Sequence, residues 1–495
     1  MSFPLLYEIN TRCWLAELSK ENKRPMTLAE IPEGQFHEWQ RLGFTHIWLM
    51  GVWTTGPRAR TVALQAHSQQ EYSQALPDLR EEDIVGSPYA IAGYTVASAL
   101  GGDSALQRFR DQLNARGLKL ILDFVPNHLG LDHPWLKQRP ELFVQGQGES
   151  PETILEETNF GPCWLAHGKD PYFPPWTDTV QLDYRRADTR AAMSQLLQSI
   201  AQRCDGVRCD MAMLLLNDVF AKTWERFAVA NHQSLITNSE FWSDAVSTVK
   251  NASSDFLFLA EAYWGLEARL QALGFDYTYD KALYDCLIAR NNAGVQRHLL
   301  EVPSNARSVG AHFLENHDEM RIASLLSSAE HRAAALLILS LPGMRFLHEG
   351  QLTGARLKVP VQLTRRAPEP TALEIQKMYE QLLTTLQESA VGAGQSELLQ
   401  PRDAWPGNPT AQNITLVQWQ RGEPPFNLVA VNLASHPSQC YAPVNLRNLS
   451  VRNWSMKELL GDQQFAKDAT EMKKNGVYLD LPPHAAQLFH FAPLE

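Results

Sequence analysis

The sequence predicts an α/β protein: a (β/α)8 barrel with a short subdomain inserted after the third strand and a C-terminal antiparallel β-sandwich domain. Three observations predict it. Short apolar runs recur between longer helical patterns, several of these runs end on an acidic residue, and the texture changes to alternating strands beyond Pro401.

The candidate strands are Leu5–Ile9, His46–Met50, Leu118–Phe124, Gly206–Cys209, Phe256–Ala260, Tyr277–Tyr279, Gly310–Leu314 and Met344–Leu347. Their number is that of a closed barrel. A bare barrel allows roughly 31 residues per βα unit, so longer spacings mark insertions. The largest excess is residues 129–182, rich in Pro, Gly and aromatics, and reads as a lid or subdomain. A smaller one follows the second strand, around residues 54–92. Near the C-terminus Ile414 to Trp419 and Leu428 to Leu433 alternate as antiparallel strands do. The expected division is therefore a catalytic barrel over 1–395 and a β domain over 396–495.

Of the 495 residues 44% are apolar and 20% charged, an ordinary globular composition. Forty-four Lys and Arg against fifty-five Asp and Glu give a net charge of -11, which repels phosphate backbones and argues against a nucleic-acid partner. The six cysteines are scattered, without the close pairs of a zinc site or a disulfide scaffold. No stretch has membrane-spanning length without charges, and the N-terminal residues lack the pattern of a secretory signal. The expectation is a cytoplasmic protein that does not contact membranes.

In a parallel barrel the strand ends aim their last side chains into one shared cleft. Four ends carry polar residues here: Leu120 to His128, Asp205 to Asp210, Phe258 to Ala262 and Phe313 to Asp318. Singly, a strand-end carboxylate caps a helix or pairs with a neighbouring cation. Four in chain order call for a common purpose. Arg208 and Asp210 stand two apart on a strand and so project to one face, where the cation favours an ionised Asp210. Glu261 follows a strongly apolar strand, and burial there favours its protonated form. One carboxylate to attack and one acid to protonate are what retaining glycoside hydrolysis requires.

These four segments resemble, in order, the four short motifs of the alpha-amylase superfamily, glycoside hydrolase family 13. Gly86-Ser87-Pro88-Tyr89 and Leu341-Pro342-Gly343-Met344 are similar to flanking segments of the family, so that the resemblance covers roughly residues 5–390. It implies a catalytic trio of Asp210 as nucleophile, Glu261 as general acid and base, and Asp318 as the carboxylate that fixes the distorted ring. It also implies that His128, Arg208 and His317 line the subsite of the sugar that becomes attached. Tyr94 lies in a stretch resembling the family's segment with a stacking tyrosine, although Gly93 stands where an acidic residue is expected. Tyr89 and Trp264 adjoin motif residues and are the favoured stacking aromatics.

Two departures bear on substrate and metal. Many family members carry a Lys-His pair shortly after the nucleophile, where this chain reads Met211-Ala212-Met213-Leu214. The change points away from ordinary polymer cleavage and toward a short acceptor, another aglycone or transfer. Asn127 matches a position that ligates calcium in some members but lacks the carboxylate partners that six to eight oxygen ligands demand. The expectation is no obligatory metal, with Asn127 bonded to the lid backbone. Cys209, between Arg208 and Asp210, should face away from the cleft, and Glu315 should support the turn at its strand end. The reading is a retaining hydrolase of malto-oligosaccharides or small α-glucosides. A transglycosidase using the same carboxylates is the alternative, and an inactive sugar-binding or scaffold homologue the more distant one.

Overall fold

The computed structural model describes residues 2–65, 69–227, 239–303, 307–422, 424–445 and 452–494. Eight parallel strands close into a barrel, each hydrogen-bonded to its neighbours in chain order. They are β1 (Leu5–Asn10), β2 (His46–Met50), β3 (Lys119–Phe124), β4 (Gly206–Cys209), β5 (Leu257–Ala260), β6 (Tyr277–Tyr279), β7 (Gly310–His312) and β8 (Met344–His348). All eight candidate runs are barrel strands. The seventh stops two residues early, because Phe313 and Leu314 have already left the ladder on the way to the acidic turn.

Strand alternation sorts the side chains into two cores. Leu6, Trp48, Met50, Ile121, Leu259, Tyr279, Phe313, Met344 and Phe346 fill the barrel interior as a cluster of their own. Their neighbours one residue along, such as Ile47, Leu49, Leu122, Val207 and Phe258, pack outward against the helices. Gly206 occupies an interior position with no room for a side chain: an added Cβ would stand 2.6 Å from Ile121 Cδ1 and 2.7 Å from the Leu257 carbonyl. Parity also carries Arg208, Asp210 and Glu261 inward at the rim, as continuations of the same inward rows.

The insertion after β3 is a lid on a narrow neck. His128–Gly130 pairs antiparallel with Thr179–Gln181 to form the neck, and the hairpin Thr153–Thr158 with Gly161–Ala166 forms the body. The shorter excursion after β2 contains the helix Pro57–Leu64 and a small sheet of Trp53–Thr55 with Ile91–Val96.

Beyond the barrel, a six-stranded antiparallel sheet begins at Gln395–Leu399, and a three-stranded sheet contains Arg402–Asp403, Ser438–Ala442 and Val477–Leu481. Leu416, Phe426, Leu428, Cys440, Leu479 and Phe491 fill the space between them. Phe426 and Phe491 stack at 4.5 Å. The other face of the larger sheet, Val417, Trp419, Val429, Val431 and Leu488, belongs to the barrel's outer core. That is why every residue of Ile414–Gln420 is buried. The facing helix, Ser328–Ser340, starts on a capping box of Ser327 and Glu330 and is apolar almost all round, as a helix covered on both sides must be. No helix among the described residues is long and apolar enough to cross a membrane.

Trp419 joins the two units, being fully buried and donating its indole N–H to the Ser340 carbonyl at 2.7 Å. Trp419→Ala should cost about 3–5 kcal/mol, the range for deleting a large buried aromatic. Chemical denaturation checks this, and a loss below about 1 kcal/mol would show that the sheet does not brace the barrel.

Candidate active site

The site is built on the C-terminal ends of β3, β4, β5 and β7. At its base lies Arg208, only 1% exposed. One terminal nitrogen contacts Asp210 Oδ1 at 2.6 Å and the other Glu261 Oε2 at 2.6 Å. The guanidinium carbon lies 5.3 Å from the Trp48 ring, 5.4 Å from Tyr89 and 5.9 Å from Tyr279. Aromatic faces suit a cation removed from water, and the Tyr279 hydroxyl also accepts from Arg208 Nε at 3.4 Å, so this cage fixes the fork while its terminal nitrogens stay on the carboxylates. Arg208 is thus shared between two carboxylates at 2.6 Å, with Asp123 Oδ1 a third at 3.7 Å, where the sequence pattern pointed to Asp210 alone.

Burial pushes the carboxyls of both Asp210 and Glu261 upward, and Arg208 opposes both shifts. The charge of Asp318 adds to both rises; a direct hydrogen bond from Arg208 restrains Asp210, and for Glu261 the charge of Asp210 adds to the rise while the Met211 N–H opposes it. Both carboxyls are therefore held above the usual carboxylate range by burial, with Arg208 restraining each. Glu261 Oε2 accepts from the Met211 N–H at 2.7 Å and Oε1 from the Tyr263 hydroxyl at 2.7 Å. Met211 adopts a left-handed backbone, φ 44°, to present that N–H. The Tyr263 hydroxyl can turn to accept when Glu261 is protonated, since it is both donor and acceptor.

Asp318 stands on the loop after β7 with half its side-chain surface in the open cleft. His317 Nε2 lies 3.0 Å from its Oδ2 and 2.7 Å from the Tyr89 hydroxyl, and Nδ1 is bonded to the fully buried Glu8. Burial alone would lower His317, but the charges of Asp318 and Glu8 carry it well above its ordinary value. Burial alone would raise Asp318, and His317 instead brings it below the usual carboxylate range. The Tyr89 and His317 rings stack at 5.4 Å. His128 is buried against Trp176, and that burial lowers it to about 4, leaving it neutral near pH 7. Asp123, at the end of β3, accepts from the Gly51 N–H and is pushed up to about 7 by burial.

Asp210, Glu261, Asp318, His128 and Tyr89 line one cavity of about 640 Å³, a size suited to a small oligosaccharide. Arg208 and His317 stand behind that surface and contact these residues rather than the opening. Two expected contacts are not brought there. Tyr94 points into the outer core beside Trp53, and its hydroxyl both donates to the Val125 carbonyl and accepts from the Val125 N–H. Its parity on Ile91–Val96 turns it inward, so it cannot stack on a sugar in the cleft. Trp264, 40% exposed, lies outside the cavity lining and meets Tyr172 edge to face at 4.9 Å.

Glu8 is not among the sequence candidates; an acid inside the apolar run Leu5 to Ile9 is the available sign for it. Tyr263 is one of the aromatics that the sequence places near the mouth as core or stacking residues, and the structure gives it instead a hydrogen bond to Glu261. Glu315 is fully buried, bonded to Arg321 at 2.6 Å and to the Ile322 N–H at 2.7 Å, and braces the turn. Cys209 faces away from the cleft, in the outer core.

The surroundings of Asn127 do not fit calcium. Its amide donates to Gln181 Oε1 and its Oδ1 accepts from Gln181 Nε2, a reciprocal pair across the lid's neck. The Asn127 side chain is thus paired with a lid side chain, while its carbonyl accepts from the lid backbone at the Leu182 N–H. No group of three or more His, Cys, Asp or Glu among the described residues is arranged to hold a metal.

The bond between His317 and Asp318 sets a pH window for stability. The raised histidine stabilises fully below its unfolded value of about 6.5, and that contribution is lost as pH rises through its folded value. The lowered aspartate stabilises above its unfolded value of about 3.9, and that contribution is lost as pH falls through its folded value. The stability advantage over His317→Gln should therefore be greatest between about pH 4 and pH 6.5 and shrink on both sides. Thermal melts across pH measure it, and a difference independent of pH contradicts the charged pair.

The family model described as the catalytic domain of alpha amylase matches residues 37–380. Alpha-amylase MalA of Haloarcula japonica is 26% identical over 270 residues, covering 53% of this chain and 36% of that protein. Trehalose-6-phosphate hydrolase of Escherichia coli is 25% identical over 312 residues, covering 54% of this chain and 56% of that protein. The matched stretch thus spans from about a third to just over half the length of these curated relatives. Among solved structures, maltogenic alpha-amylase AmyB from Thermotoga neapolitana superposes with a TM-score of 0.67 at 17% identity, covering 99% of both chains. The alpha-amylase of Geobacillus thermoleovorans, complexed with acarbose, gives the same TM-score, identity and coverage. These two likenesses are of fold. With the catalytic-domain model matched across most of the barrel and three acids and a histidine from four strand-end segments converging on one cleft, the chain belongs to the alpha-amylase family of glycoside hydrolases and transglycosidases.

Proposed function

We propose that the protein is a retaining hydrolase of α-glucosidic bonds in malto-oligosaccharides or small α-glucosides. The observation that carries this reading is the single guanidinium of Arg208 touching both Asp210 and Glu261 at the base of one cavity. It supports a nucleophile and an acid placed on the same anomeric carbon.

In the first half-reaction an Asp210 oxygen attacks C1 while Glu261 gives its proton to the glycosidic oxygen, so the leaving sugar departs as a neutral alcohol. Asp318, anchored by His317, holds ring hydroxyls in the distorted geometry, and the Tyr89 ring backs the sugar face. In the second, Glu261, now a carboxylate, takes a proton from water as that water attacks C1, releasing Asp210 and a sugar of retained configuration. The structural neighbour complexed with acarbose supports a carbohydrate ligand for this fold.

Met211 lines the cavity next to Glu261, and this apolar surface suits a sugar face better than ordered water. That favours a second reading, a transglycosidase in which another sugar resolves the same ester. The six cysteines are all free, which supports a reducing, cytoplasmic setting.

Asp210→Asn and Glu261→Gln should each lower turnover of maltoheptaose by about 10³-fold or more, with the fold unchanged by circular dichroism. NMR of the first product should show the α-anomer; a β-anomer excludes the double displacement. A panel of maltose, maltoheptaose, sucrose, trehalose and starch separates the readings: longer products indicate transfer and free glucose or maltose indicates hydrolysis. The pH profile has a sign as well. kcat/KM should fall on the alkaline side as Glu261 loses its proton. Tyr263→Phe removes a donor that favours the ionised form, so this limb should move to higher pH. A limb that stays in place or moves down rules out this bond to the acid.

A further inference from the structure

Two loops are fastened to each other beside the cavity. The excursion after β2 and the segment after β8 rise on either side of β1. Ile84 and Leu363 form an antiparallel bridge. The Val85 N–H donates to the Gln362 carbonyl at 3.0 Å and the Thr364 N–H to the Asp83 carbonyl at 2.9 Å. Arg365 grips Asp83 at 2.6 Å and Asp78 at 2.9 Å. The pair with Asp78 is exposed and adds little, whereas Asp83 is buried and the bond to it holds position. Beneath these contacts Ala63, Tyr72, Leu76, Ile84 and Leu363 form an apolar cluster separate from the barrel cores. Lys358 in the same segment is bonded to the Asp318 carbonyl.

This joined structure is a wall of the cleft. Val62, Ala63 and Tyr72 from one loop and Val361 and Gln362 from the other line the same cavity as Asp210 and Glu261. Its side of the cleft follows from topology. The acid protonates the leaving oxygen, so the leaving group lies toward Glu261, at the end of β5. In an eight-stranded ring β5 stands across from β1, and the wall rises around β1. The wall therefore stands at the end occupied by the sugar that becomes attached to Asp210.

We infer that this wall closes the cleft at its glycone end, so that the enzyme takes malto-oligosaccharides by their non-reducing end and cuts from that end rather than internally. The inference rests on the glycosidase reading above. An internal cut requires a chain running through the cleft on both sides of the scissile bond, and the bonded loops leave it no exit beyond the short glycone space. Ala63 and Tyr72 belong to the wall's apolar cluster, Val62 packs on the barrel's outer core and Val361 on its interior core, so the wall is present before substrate arrives.

The test compares 4-nitrophenyl maltoheptaoside with the same compound blocked by a 4,6-O-ethylidene group on its non-reducing glucose. The full-length enzyme should turn over the blocked compound at least about 100-fold more slowly, and early products from the free one should have a single short length. Arg365→Ala, which loosens the wall and touches no residue at the reaction centre, should narrow that ratio by about 10-fold. Comparable rates on both compounds, with mixed internal products, would falsify the wall. Should neither compound be cleaved, the glycosidase reading fails, and the wall is then judged by calorimetry with plain and ethylidene-blocked maltotriose. Weaker binding of the blocked sugar supports it, and equal binding overturns it.

Discussion

A buried guanidinium shared by two carboxylates is the constraint on which the rest of this molecule depends. Arg208 is out of contact with water and lies between Asp210 and Glu261, and either acid left unpaired at that depth would be strongly destabilising. The barrel meets this demand by geometry. β4 and β5 are parallel neighbours in a register that opposes Arg208 to Leu259, so the residues one step past each strand reach the same level. The aromatic cage of Trp48, Tyr89 and Tyr279 completes the site, and the Tyr279 hydroxyl takes the remaining Nε donor.

Around that centre the charges are arranged in opposite senses. His317 is charged because Glu8 and Asp318 face its two nitrogens, and it in turn keeps Asp318 ionised at the mouth. Asp210 and Glu261, deeper, are both pushed toward protonation and share one cation. Carboxyls pushed to different values by their environments are what let one remain charged while another carries a proton. The left-handed Met211 belongs to the same design, because its strained backbone aims an N–H at Glu261.

The additions to the barrel define access rather than chemistry. The lid after β3 hangs from a two-strand neck locked by Asn127 and Gln181, and it brings His128 and Trp176 to one wall of the cavity. The joined loops after β2 and β8 supply another wall, tied to the lid by Arg58 and its bonds to Leu131 and Asp132. Among the described residues the C-terminal sandwich lines no part of this cavity; Trp419 and its neighbours brace the helix Ser328–Ser340 that backs the barrel.

The sequence by itself determined the barrel, because strand parity and apolar runs are local properties that set which side chains face inward. It determined equally that Asp210 and Glu261 stand at strand ends, since position on a strand is one-dimensional information, and that Asp318 follows the seventh strand. Only the tertiary structure decided partnership. That Arg208 serves Glu261 as well as Asp210, that Glu8 reaches His317 from the far end of the chain, and that Arg365 closes on Asp78 and Asp83 depend on distances across the ring. Tyr94 and Trp264 show the same limit from the other side, being near motif residues in sequence yet turned to the core or the rim. Proximity along a chain fixes a residue's level on its strand, whereas the direction and company of a side chain are set by how the strands close upon one another.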